Sequence, residues 1–135
     1  MKPLLMLITA GTLAAAVPNW PQFRGPNASG VNDDARPPVR FGPGTNQLWK
    51  VPVPGGISSP VVWGDRLFLT GYENSRLLTL AFDLRDGREL WRHVVPAEKI
   101  EPCHSFSSPA APTPCTDGER VYVYFGSYGL IAYDF

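Results

Sequence analysis

The sequence is poor in the residues on which most catalytic and metal chemistry is built. It has two cysteines, two histidines and two methionines in 135 residues. No G-x-S-x-G, P-loop, H-E-x-x-H or C-x-x-C spacing occurs, so hydrolase, nucleotide and zinc chemistry have no motif to rest on. Excess charge is missing as well: 12 basic residues face 12 acidic ones. With no basic run, nucleic acid is not an expected partner. No long stretch carries helical periodicity. What fills the chain is 44% apolar residues, 12% aromatic, with 13 Gly and 15 Pro, the make-up of short strands joined by turns and not of a disordered segment.

The first sixteen residues stand apart. Lys2 supplies a positive start, residues 3–16 are almost wholly apolar, and Ala14-Ala15-Ala16 offers a cleavage site. This order reads as a secretory signal peptide over 1–16, too short to span a membrane; the competing reading is a buried N-terminal strand or helix. Cleavage would start the mature chain near Val17, and no Cys follows the apolar stretch to carry a lipid. The expectation is an exported protein, periplasmic or extracellular, with no membrane span after cleavage. Export permits a disulfide. Cys103 and Cys115 are the one available pair, and their spacing alone leaves bridged and free forms open.

Residues 17–57 read as an arm ending in a strand. Trp20 and Phe23, around Pro21, are costly to leave in water, and docking on the body of the fold is favoured over a ligand platform. Residues 27–45 read as a surface loop. Gln47-Leu48-Trp49-Lys50-Val51-Pro52-Val53 is a strand candidate echoing Glu89-Leu90-Trp91-Arg92-His93-Val94.

From Ser58 the pattern becomes regular. Residues 59–63 form a strand, Gly64-Asp65 a turn, and residues 66–70 a second strand. Residues 77–83 form a third and 89–95 a fourth. Asp86-Gly87 is the strongest hairpin signal, since Gly accepts the positive φ of a two-residue turn. The unit recurs: Pro60, Gly64 and Arg66 correspond to Pro114, Gly118 and Arg120, and Ala81-Phe82-Asp83 to Ala132-Tyr133-Asp134. A four-stranded unit repeating at about fifty residues points to propeller blades. In residues 67–69 and 121–125 both strand faces are apolar or aromatic, as stacked blades require; a two-sheet sandwich is the other fold considered. The fold class is all-β, with antiparallel four-stranded blades over 58–135, one full and a second of about three strands. A closed ring needs about four to eight blades, so these two form an N-terminal part of a longer propeller or assemble with further copies.

Candidate site chemistry is thin. Glu98, Glu101, Cys103 and His104 lie on the long connection 96–108, and Cys103-His104 with Cys115 matches no zinc spacing. His93 reads as a packing or edge residue. Asp83 and Asp134 recur at equivalent places, and Asp117-Gly118 is turn chemistry; repetition marks structure, because a catalytic group is needed once per site. No catalytic residue and no metal ligand is assigned, and cofactor-binding residues stay unknown.

The pattern A-x-D-x-x-x-G-x-x-x-W, met by Ala81, Asp83, Gly87 and Trp91, resembles the tryptophan-docking motif of the pyrroloquinoline quinone (PQQ) repeat family. Ala132-Tyr133-Asp134 opens a second copy, and Trp20-Pro-Gln-Phe-Arg-Gly-Pro26 resembles the mature start of such propellers from the bacterial envelope. The resemblance implies a quinoprotein-like β-propeller in which the strand around Trp49 completes the last blade. It also implies a non-catalytic binding or scaffold module with protein partners in the envelope and no cofactor. The alternative is the N-terminal part of a PQQ-dependent dehydrogenase, with PQQ and calcium near the axis. Those dehydrogenases carry adjacent bridged cysteines, from which Cys103 and Cys115 depart. The family's envelope lipoprotein carries a lipidated Cys that is not found here.

Overall fold

A computed structural model describes residues 19–135; the leader assigned to 1–16 lies outside the described residues. After a short 3-10 turn, Pro26–Ala28, all regular structure is β. Strands β1 (Val61–Trp63), β2 (Arg66–Glu73), β3 (Arg76–Asp83) and β4 (Glu89–Val94) form one sheet in sequence order. Strands β5 (Cys115–Thr116), β6 (Arg120–Phe125) and β7 (Gly129–Asp134) form a second. Every ladder is antiparallel.

Turn chemistry sets the registers. Trp63 pairs with Arg66 across Gly64-Asp65, with Gly64 at φ 58°. Glu73 pairs with Arg76 across Asn74-Ser75, both at positive φ, 50° and 60°. That is the double left-handed geometry of a type I′ turn, which matches strand twist. Asp86-Gly87 behaves differently from its sequence signal. Gly87 does adopt φ 74°, but the connection from β3 to β4 takes five residues, 84–88. A register shift follows Ala81, so that Ala81 faces Trp91 while Phe82 faces Glu89. The loop closes on itself: Gly87 N–H donates to the Asp83 carbonyl at 2.9 Å, and Asp83 N–H to the Arg88 carbonyl at 2.8 Å.

The sheets stack face to face. Val61, Phe68 and Ala81 of the first meet Val121 of the second in a dry seam flanked by Trp91, Tyr133 and Phe135. A neighbouring cluster joins Leu77, Val95, Ala110, Val123 and Phe125. Each such side chain, fully buried, is worth about 1.5–3 kcal/mol, so this seam holds the two units together. On the far face of the first sheet, Leu78, Leu80 and Phe82 are buried beside Leu67 and Leu69 of β2, and Val51 from outside the sheet packs against them. Val51 and Trp49 cover part of this face and leave a groove along Leu67, Leu69 and Phe82. The far face of the second sheet is open: Tyr124 is 60% and Leu130 70% exposed. The two sheets do not close into a ring.

Residues 47–53 do not join a ladder. They run extended over the first sheet, and the pairing nearby is a single bridge from Gly55 to Tyr72. The arm adds one pairing on the inner edge. Trp20 N–H donates to the Val62 carbonyl at 2.7 Å and Val62 N–H to the Trp20 carbonyl at 2.9 Å. Thr116 N–H then donates to the Pro21 carbonyl at 2.9 Å, so the arm touches β1 and β5 together. Phe23 does not dock and is exposed. Residues 27–45 form an exposed loop.

Candidate functional site: indole seats along the blade faces

Three of the four tryptophans lie flat against a glycine of positive φ, each so close that an added Cβ would meet the ring. The distances from that Cβ position are 2.5 Å for Gly25 to Trp20, 2.6 Å for Gly87 to Trp49 and 2.6 Å for Gly118 to Trp63. Glycine is required twice over at these sites, by the left-handed backbone and by the approaching ring. Trp49 is also pinned in orientation, its Nε1–H donating to the Leu84 carbonyl at 2.8 Å. An indole with a wet edge and an apolar face suits such a seat.

Trp91 stands opposite Ala81, and the small residue leaves room for the ring. It lies 5.8 Å from Phe68, 5.8 Å from Tyr133 and 4.9 Å from His93. His93 stacks on Tyr133 at 4.6 Å with planes 3° apart, the packing role expected of it. Trp91 Nε1, Thr79 Oγ1 and Tyr133 Oη are buried without a hydrogen-bond partner. Burial pushes the Tyr133 phenol pKa up.

The acidic residues are tied into turns. Arg85, through its Nη2 on Oδ2 and its Nε and backbone N–H on Oδ1 at 2.9 Å, grips the buried Asp83, and this holds the carboxyl far below the usual range. Asp117 Oδ1 accepts from Arg120 N–H at 2.8 Å and Glu119 N–H at 2.9 Å, while Oδ2 accepts from the Tyr122 hydroxyl at 2.7 Å. Those backbone bonds first, then the phenol, lower its pKa to about 2. The same contact raises Tyr122. Asp134 pairs with Arg120 at 3.0 Å on the exposed face.

The connection 96–108 gathers less. His104 Nδ1 accepts from Phe106 N–H at 3.3 Å, and Glu101 N–H donates to Ser127 Oγ at 3.0 Å. A cleft of about 590 Å³ is lined by Tyr72, Ile100, Cys103 and His104 among others. Cys103 and Cys115 are both free and exposed. Among the described residues no three His, Cys, Asp or Glu side chains converge on a point where a metal ion fits, and no helix is long and apolar enough to cross a membrane.

Sequence reasoning found the motif residues but not which indole seats on Gly87. The ring there is Trp49, thirty-odd residues upstream, and not Trp91 of the same motif. The signal was the echo of Gln47-Leu-Trp-Lys with Glu89-Leu-Trp-Arg, which marks Trp49 as equivalent to Trp91 on the preceding face.

Two antiparallel sheets stacked through their faces, with the Trp63 ring at the end of β1 seated on Gly118 of the next unit, define a pair of consecutive β-propeller blades. Residues 44–135, more than half of the chain, match the family described as outer membrane protein assembly factor BamB, and the chain belongs to this family of PQQ-like repeats. No curated protein and no solved structure matches it.

Proposed function

We propose that this chain is the N-terminal part of an exported PQQ-like β-propeller that works as a non-catalytic binding or scaffold module. The observation that carries the reading is where the reactive side chains are spent. Asp83 and Asp117 shape turns, His93 stacks on Tyr133, Trp63 fastens the first unit to the second, and Trp49 fastens the preceding segment to the first unit. The assembly function in the family's description points to protein partners in the cell envelope. The strand candidate over residues 47–53 completes the last blade and closes the ring. Trp49 on Gly87 and Val51 on the far face of the first sheet support that role. Residues 1–16 direct export and are removed.

The test is equilibrium titration of the protein with PQQ and Ca²⁺, read by quinone absorbance and by dye-linked oxidation of alcohols and sugars. No bound quinone and no dye reduction is expected. Stoichiometric quinone binding with turnover would replace this reading by that of a quinoprotein dehydrogenase.

A further inference from the structure

At the end of the first sheet where β2 turns into β3, two irregular segments, residues 55–57 and 100–109, border the cleft of about 590 Å³. Its floor is apolar and anchored: Tyr72 and Ile100 pack against the cluster of Leu77, Val123 and Phe125 between the sheets. One wall is fixed by the Tyr72 N–H, which donates to the Gly55 carbonyl at 2.6 Å. The other is fixed by the Glu101 N–H on Ser127 Oγ at 3.0 Å and by a turn closed from the Ser107 N–H to the His104 carbonyl at 2.8 Å. At that turn Phe106 is 90% exposed, and Ile57 of the first wall is 60% exposed. Apolar groups displayed at the mouth of a preformed cleft mark an interaction site. The chemistry left unused here suits a peptide. The main-chain N–H and C=O groups of Gly56, Ile57, Cys103 and Ser105 make no hydrogen bond within the described residues. His104 Nδ1 accepts from the Phe106 N–H, so a neutral ring carries its proton on Nε2 and keeps a donor free. Glu101 is the acidic side chain of the lining, and no cation within the described residues pairs with it.

We propose that this cleft is a docking site for an extended peptide segment of a protein partner, one that carries an aliphatic side chain beside a lysine or arginine. The aliphatic group covers Tyr72, Ile100 and Ile57, and the cation meets the Glu101 carboxylate. The partner's own peptide groups take up the free main-chain groups of the two walls and the His104 Nε2–H. Glu101 is exposed, so its ion pair selects the partner's charge more than it adds affinity. The site rests on the reading of the chain as a binding module, and it lies at the loop end of the first sheet, away from the stacked faces.

Cys103 lines the cleft and Cys115 does not, and both thiols are free and exposed, so alkylation supplies a signal with its own control. The 135-residue protein is treated with iodoacetamide in the presence of the blocked peptide acetyl-Ser-Gly-Leu-Arg-Gly-Ser amide, and each cysteine is read by peptide mass spectrometry. At about 1 mM peptide the Cys103 rate should fall about threefold, as a Kd of about 0.5 mM gives, with the Cys115 rate unchanged. Replacing the peptide's Arg by Glu, or its Leu by Ser, should remove most of the protection. Glu101→Gln should weaken binding about two- to fivefold and Ile57→Glu about tenfold. Both side chains are exposed, and an unchanged Cys115 rate shows that each variant is folded. No protection, equal protection by all three peptides or at both cysteines, or indifference to Glu101→Gln would overturn the site. So would protection of Cys103 by PQQ with Ca²⁺ in place of the peptide. Absent peptide protection without quinone turnover removes the site alone, whereas quinone turnover removes the module reading.

Discussion

Gly87→Ala isolates the seat of Trp49 from ordinary backbone strain. Gly87 and Gly44 have nearly the same φ, 74° and 75°, yet an added Cβ meets the Trp49 ring at 2.6 Å in one case and nothing within 4 Å in the other. The left-handed backbone alone costs an Ala about 1–2 kcal/mol. At Gly87 the ring must also move, loosening the 2.8 Å bond from Trp49 Nε1 to the Leu84 carbonyl, a loss of about 1 kcal/mol net. Partial re-exposure of the indole adds about 1–2 kcal/mol. The expected cost is about 3–5 kcal/mol at Gly87 against about 1–2 at Gly44. For a domain of this size that is a fall in Tm of roughly 10–25 °C against roughly 4–8 °C. Urea unfolding followed by Trp fluorescence and far-UV circular dichroism measures both. The double variant Gly87→Ala with Trp49→Ala should cost less than the sum of the singles by about 1–2 kcal/mol, because the clash disappears with the ring. Equal costs at Gly87 and Gly44, or strict additivity in the cycle, would refute the seat.

Three further outcomes follow from the same coordinates. The buried Thr70 hydroxyl lies within donating distance of the Ala110 and Pro112 carbonyls, at 2.9 and 3.1 Å. Thr70→Val should destabilise by about 1–3 kcal/mol, by urea midpoint. Asp117 has a folded pKa lowered from 3.8 to about 2, so its contribution is fully present above pH 3.8 and is lost as pH falls through 2. Asp117→Asn should lower stability by a constant amount above pH 3.8, near neutrality included, and flatten the profile between pH 3.8 and 2. Burial first, and the Asp117 charge second, raise the Cys115 thiol pKa; its alkylation rate at pH 7.5, read by peptide mass spectrometry, should trail that of a free cysteine peptide, and no 103–115 bridge should appear under non-reducing conditions.

Much of the fold was legible because its determinants are local. Gly64-Asp65, the alternating strands around it and the fifty-residue recurrence all speak through neighbours in sequence, and the structure places them as read. The misreadings lie where a distant contact decides. Asp86-Gly87 carries a two-residue hairpin signal, but the grip of Arg85 on Asp83 and the shift after Ala81 spread the loop over five residues. The second strand runs past Thr70 to Glu73, because Gly71 lets Pro54 pack against it, its Cβ position lying 2.7 Å from the Pro54 ring. Residues 47–53 have strand composition, yet they cover a sheet face through Trp49 and Val51 without entering a ladder. The site was least legible. Only the echo of Trp49 with Trp91 could have assigned the ring on Gly87, and nothing local announces that Trp63 reaches Gly118. The arm was half legible: Trp20 docks as an aromatic should, while its pairing with Val62 depends on an open inner edge that no local pattern reveals.

The central claim is that the two units are stacked blades fastened by Trp63 on Gly118, with the preceding segment fastened to the first unit by Trp49 on Gly87. Proton NMR tests it most directly, through the α-proton shifts of Gly87 and Gly118 and their nuclear Overhauser contacts. Both glycines lie against an indole face, so their α-protons should be displaced upfield by ring current and should show cross-peaks to Trp49 and Trp63 respectively. Random-coil shifts with no such cross-peaks would contradict the account.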